Sequence, residues 1–159
     1  MQTQAQTLKR IRRLTTFFIV GLVLSGVTAI PLIPELDWLL SLFGDKTPVM
    51  AWIRQVRDAL VATDAAFPFL AYGYDWLAFG HFVIALAFVG AWRDPVRNIW
   101  LFEFGMIACA MVIPYALIFG ALREIPLYWR FIDGLFGVIG SVPLLICHRL
   151  TKQLERCDG

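Results

Sequence analysis

The chain has 159 residues, 59% of them hydrophobic and only 16% charged, with a mean hydropathy of +0.69. A charged fraction that far below the roughly 25% of a soluble domain points to a membrane protein. A net charge of +2 is too small to suggest a nucleic-acid partner, and the length suits one integral membrane domain, residues 1–159, rather than two.

A spanning helix needs about 20 mostly apolar residues. The first segment that qualifies is 14–33, preceded by Lys9, Arg10, Arg12 and Arg13. The same stretch also resembles a signal peptide, with Val27-Thr28-Ala29 as a small-residue cleavage site. The apolar run continues past that site through Ile30, Leu32 and Ile33, so a retained span is expected. Gly21, Ser25 and Thr28 form a stripe of small residues suited to close helix packing.

The segment 34–75 is long and structured. Glu35 to Phe43 reads as a short interfacial helix ended by Gly44. Thr47-Pro48 is a helix start, with Thr as N-cap and Pro at the first helical position. From there Val49, Trp52, Ile53, Val56 and Leu60 recur at helical spacing, which predicts an amphipathic helix. Phe67 to Tyr74 is expected to be a non-helical aromatic approach to the second span.

The second span is 76–92, bracketed by Trp76 and Trp92, which favour the membrane interface. The third is 99–122 and the fourth 127–148. Pro114 and Pro143 lie inside the last two and are expected to kink or loosen them.

Basic residues set orientation. Nine lie in three regions that share one side: Lys9, Arg10, Arg12 and Arg13; Arg93 and Arg97; Arg149, Lys152 and Arg156. The other side holds Lys46, Arg54, Arg57 and Arg123 beside seven acids: Glu35, Asp37, Asp45, Asp58, Asp64, Asp75 and Glu124. Both termini are therefore predicted to be cytoplasmic. The fold class is all-α: a membrane-embedded four-helix bundle with short amphipathic helices in the first extracytoplasmic loop.

Ionisable residues are costly in hydrocarbon and mark functional regions. Asp133 lies inside the fourth apolar run, roughly 9–12 Å below its outer end at 1.5 Å per residue. His81 and Tyr115 lie roughly 8–10 Å below the outer ends of the second and third spans. Arg130 sits one turn before Asp133, close enough for an intrahelical ion pair. Arg130, Asp133, Gly137, Gly140, Ser141 and Leu144 share one side of the fourth span. His81, Tyr115, Arg130 and Asp133 are therefore candidate ligand-binding residues. Asp133 would serve as acceptor and Arg130 as anion clamp. The bland alternative is that Arg130 and Asp133 form a structural latch. Glu103 is a second candidate for a structural ion pair, with Arg93 or Arg97 of the neighbouring tight loop.

No cofactor or metal is expected. His81 and His148 stand at opposite levels, unsuited to a shared haem, and no His, Cys or carboxylate cluster has ligand spacing. Cys109, Cys147 and Cys157 contain no C-x-x-C and are expected as free thiols, which argues against thiol-redox chemistry.

The runs Phe69-Leu70-Ala71-Tyr72-Gly73, Asp75-Trp76-Leu77-Ala78-Phe79, Arg93-Asp94-Pro95-Val96-Arg97-Asn98, Glu103-Phe104-Gly105-Met106-Ile107-Ala108-Cys109 and Trp129-Arg130-Phe131-Ile132-Asp133 resemble a small bacterial family of four-span membrane proteins of unknown function. The resemblance covers about half the chain. It implies a bacterial source and an inner-membrane location, and it supplies no activity. A looser similarity of layout, four helices and a structured first loop, is to the EXPERA-type proteins that bind or isomerise sterols. Their acidic and histidine pattern is not reproduced, and layout alone does not carry function.

Three functions fit these residues. The first is binding of a lipid or other amphipathic molecule in an outer-facing polar pocket. The second is an accessory or assembly subunit docked onto another membrane protein. The third is a small lipid-modifying or isomerase-type enzyme using His81 and Asp133 as acid and base. The oligomeric state is open, and the small-residue stripe would also serve a homodimer.

Overall fold

The computed structural model describes residues 4–44 and 46–158, with side chains described as far as Arg156. Asp45 and the Cys157 thiol, both counted above, lie outside the described residues. The fold is all-helical, with no strand among the described residues. In order, the helices are α1 Gln4–Ala29, α2 Leu32–Phe43, α3 Pro48–Ala66, α4 Tyr72–Arg93, α5 Ile99–Leu122 and α6 Leu127–Asp158. Among the described residues four stretches are long and apolar enough to cross a membrane: Gln4–Ala29, Pro68–Arg93, Ile99–Leu122 and Leu127–Arg156.

Helix boundaries follow local chemistry. Pro31, at φ −88 and ψ 48, separates α1 from α2. The first long helix therefore ends at Ala29, before the expected Ile33. Gly44 closes α2 at φ +67, a conformation that costs a side chain but not glycine. Thr47 caps α3 by accepting from the Met50 amide at 3.2 Å, with Pro48 at the first helical position. The stretch expected to be non-helical is instead a 3₁₀ turn, Pro68–Ala71, running straight into α4 at Tyr72. Helix α6 continues ten residues beyond the expected end at His148, to Asp158.

Contacts sort the chain into two compact units, Met1–Gly21 with Ala85–Gly159, and Leu22–Ile84. In the first, α1 presents Thr7, Ile11 and Thr15, spaced four apart, to a core that includes Cys147, Thr151 and Leu154 of α6. Buried hydroxyls must be satisfied. Thr15 donates to the Ile11 carbonyl at 2.9 Å and Thr151 to the Cys147 carbonyl at 2.8 Å, so each bonds within its own helix. Phe88 is fully buried, with the Phe18 ring 4.8 Å away and Phe102 at 6.5 Å. A Cβ at Gly105 would meet Phe88 at 2.9 Å and Leu144 at 2.7 Å. Glycine is what lets this aromatic cluster close.

The loop between α4 and α5 is tied by its own polar residues. Asn98 donates to the carbonyls of Gly90 at 3.2 Å and Asp94 at 2.9 Å, while Asp94 accepts from the Arg97 amide at 3.0 Å.

In the second unit, α2 packs on α3. Arg57 donates to Asp37 at 2.7 Å and to Asp58 at 3.1 Å. The hydrogen bond to Asp37, then that to Asp58, raises Arg57 above its ordinary value. Gly26, not the expected Gly21, makes the close approach from α1. A Cβ at Gly26 would meet the Ala78 carbonyl at 3.0 Å and the Phe82 ring at 2.6 Å, whereas Gly21 has nothing within 4 Å. Ser25 and Thr28 of the expected stripe are exposed, and Thr28 bonds only to carbonyls of its own helix.

Candidate functional site

Helices α5 and α6 form an antiparallel hairpin whose register is fixed by five contacts. Gly105 lies against Leu144, Cys109 against Gly137 and Gly140, Val112 against Gly137, and Gly120 against Arg130. A Cβ at Gly137 would run into the Cys109 carbonyl. The face running from Arg130 through Asp133, Gly137, Gly140 and Leu144 is thus the one applied to α5, as the spacing predicts. The same register puts Ala116 of α5 opposite Asp133.

The turn between the helices is built without glycine at its critical position. Glu124 adopts φ +58. Its amide bonds the Ala121 carbonyl at 3.2 Å and the Ile125 amide bonds Gly120 at 2.9 Å, a paired helix stop of the Schellman type. Arg130 reaches back over this turn. Its Nε donates to the Ile125 carbonyl at 2.6 Å, and a Cβ on Gly120 would lie 2.8 Å from its Cγ. The Nε–H of the guanidinium is therefore committed to the turn. The expected Arg130–Asp133 ion pair is not formed; the ion pairs of the described residues include Arg57 with Asp37 and Asp58, and His148 is hydrogen-bonded to Glu103. Three-residue spacing brings two helical side chains near each other, but an unsatisfied turn carbonyl competes for the arginine.

Asp133 is left half-buried, in the apolar part of α6, with no hydrogen bond or ion pair among the described residues. A Cβ at the adjacent Gly134 would meet nothing within 4 Å, so the helix is open on that side.

The other expected members of the site are placed differently. Tyr115 is 65% exposed and stacks on Phe119 at 4.4 Å, on a face of α5 shared with Met111, Ile118 and Leu122. It does not join Asp133. Helical rotation explains this: position 115 is a little over a quarter of a turn from position 116, which faces α6. His81 lies in the other unit, with Nδ1 2.8 Å from the Leu77 carbonyl. A carbonyl only accepts, so Nδ1 carries the proton, and the ring is held within its own helix.

At the opposite end of the hairpin, Glu103 meets His148 at 3.0 Å rather than Arg93 or Arg97. Arg97 gives its backbone amide to Asp94, and Asn98 closes the loop that Glu103 was expected to pin. The antiparallel register brings position 148 beside position 103, which spacing within one helix does not reveal. Cys109 and Cys147 are free thiols. Among the described residues no group of three or more His, Cys, Asp or Glu side chains is placed to hold a metal.

No family model, curated protein or solved structure matches the chain. Its function is therefore read from its own residues.

Proposed function

We propose that the chain is a multi-pass protein of a bacterial inner membrane, with both termini cytoplasmic. The segment α2 to α3 then lies on the outer side. In that half Asp133 marks a polar site for a lipid or another amphipathic molecule, whose hydroxyl or ammonium group donates to the carboxylate.

One observation carries this reading: Asp133 stands in an apolar helix and nothing among the described residues satisfies it. A carboxylate at such depth is expensive unless paired or hydrogen-bonded. Arg130, the obvious internal partner, is engaged elsewhere. The four long apolar helices and the asymmetry of basic residues support the setting.

The test is native mass spectrometry of the full chain purified in mild detergent. Wild-type protein is expected to retain a co-purified lipid, and Asp133→Leu to lose it. Equal retention by both removes Asp133 from any lipid site.

A second reading, an accessory subunit docked on a larger membrane complex, is favoured by the surface of the unit Leu22–Ile84. There Trp38, Phe43, Phe67, Phe69, Tyr72 and Trp76 are each more than half exposed. Exposed aromatic surface of this size marks contact with a membrane or a protein. A stoichiometric protein partner on affinity purification, with no retained lipid, would replace the first reading by this one.

A further inference from the structure

Where the charged start of α1 meets its apolar run there is a cleft of ≈ 640 Å³. Lys9, Arg12, Arg13 and Thr16 line it from α1, at spacings that put them on one helical face, and Trp92 lines it from the end of α4. Ala5 and Leu8 supply an apolar wall. No acidic side chain among the described residues lines this cleft. Asp94 borders a smaller neighbouring groove and is occupied by the Arg97 amide.

The three cations are not equivalent. Arg12 is fixed: its Nε donates to the Trp92 carbonyl at 3.2 Å, its Nη2 to the Arg93 carbonyl at 3.4 Å, and its guanidinium lies 5.2 Å from the Trp92 ring centroid. It caps the carbonyl end of α4, where the helix dipole is negative. Lys9 and Arg13 flank it and make no ion pair or hydrogen bond among the described residues. Two uncommitted cations and an interfacial tryptophan thus converge on a cavity with an apolar edge, while the Thr16 hydroxyl in its wall donates to the Arg12 carbonyl at 2.8 Å.

The geometry points to a binding site for a phosphate ester, the chemistry of an anionic lipid headgroup or of a soluble phosphate. Lys9 and Arg13 bind the anion directly and Arg12 positions Trp92 as the wall. Trp92 and the adjoining apolar residues are what an acyl-bearing ligand would lie against. This site is independent of Asp133 but rests on the membrane reading above. That reading is tested separately, because it fails if the chain purifies without detergent.

The experiment presents the full-length protein in detergent with equal amounts of phosphatidylglycerol and phosphatidylcholine and counts bound lipids by native mass spectrometry. A preference for phosphatidylglycerol of roughly tenfold is expected from two cations near an anionic surface. Lys9→Gln/Arg13→Gln should reduce it to about twofold or less, with the melting temperature unchanged, because neither side chain makes a bonded contact. Arg10→Gln/Lys152→Gln is the control: it removes the same two charges from residues that do not line the cleft, and should leave the preference within about twofold of wild type, whereas diffuse surface attraction would make the two double variants alike. Millimolar inorganic phosphate identifies the source. Displacement of the lipid by phosphate makes the ligand a soluble phosphate, and resistance makes it a lipid. An unchanged preference in Lys9→Gln/Arg13→Gln with no phosphate binding, or an equal loss in Arg10→Gln/Lys152→Gln, overturns the proposal.

Discussion

The two ends of the α5–α6 hairpin treat polar groups in opposite ways. At one end Glu103 meets His148, and the buried Thr15 and Thr151 each find a carbonyl. At the other, Arg130 satisfies the Ile125 carbonyl while Asp133, one turn further on, is left without a partner among the described residues. The first end is finished as a structure. The second is finished only around the turn, and its carboxylate makes no hydrogen bond or ion pair among the described residues. Residues one turn apart on one helix face can therefore differ in kind, one bonded to the fold and the other without a bonded partner among the described residues.

Substitutions separate these roles. The largest loss is expected from Gly137→Ala, because its new methyl runs into the Cys109 backbone carbonyl, which cannot swing aside. A cost of about 2–3 kcal/mol, the upper range for overpacking, should show as a clear fall in melting temperature in detergent. Next comes Arg130→Met, which keeps the stem over Gly120 but removes the donor to Ile125. A charged hydrogen bond is worth about 1.5–3 kcal/mol, and partial exposure puts this variant near the lower end. Asp133→Leu should behave oppositely in delipidated protein: stability unchanged or raised by up to about 1 kcal/mol, since an unpaired carboxylate is removed. A loss comparable to that of Arg130→Met would make Asp133 a latch after all. Glu124→Gly should add about 0.5–1 kcal/mol by relieving the left-handed backbone at φ +58. The smallest change is expected for Glu103→Gln, under about 1 kcal/mol, because the pair with His148 is half in solvent on the glutamate side.

Much of the fold is legible where a local rule has a single outcome. Gly44 stops α2 and Thr47-Pro48 starts α3 where the sequence puts them, since capping is decided within a few residues. The four apolar stretches are visible because length and composition alone define them. The face of α6 containing Gly137, Gly140 and Leu144 is legible for the same reason: helical period fixes it. Partners across helices are another matter. The choice of Gly26 over Gly21 and the meeting of Glu103 with His148 depend on inter-helix register, and one sequence does not set that. The Arg130 contact depends on a turn whose left-handed position is filled by Glu124, not glycine, so no residue announces the carbonyl that captures the arginine. Tyr115 shows the limit of depth as a guide: level along a helix says nothing about rotation around it.

The most direct measurement is the melting temperature of delipidated protein before and after phospholipid is added back, for wild type and Asp133→Asn side by side. A ligand bound only by the folded state raises its stability by mass action. Wild type is expected to gain several degrees on lipid addition and Asp133→Asn little or none, with the two equally stable beforehand. An equal gain in both, or an Asp133→Asn protein already destabilised without lipid, would contradict the assignment of Asp133 to a ligand.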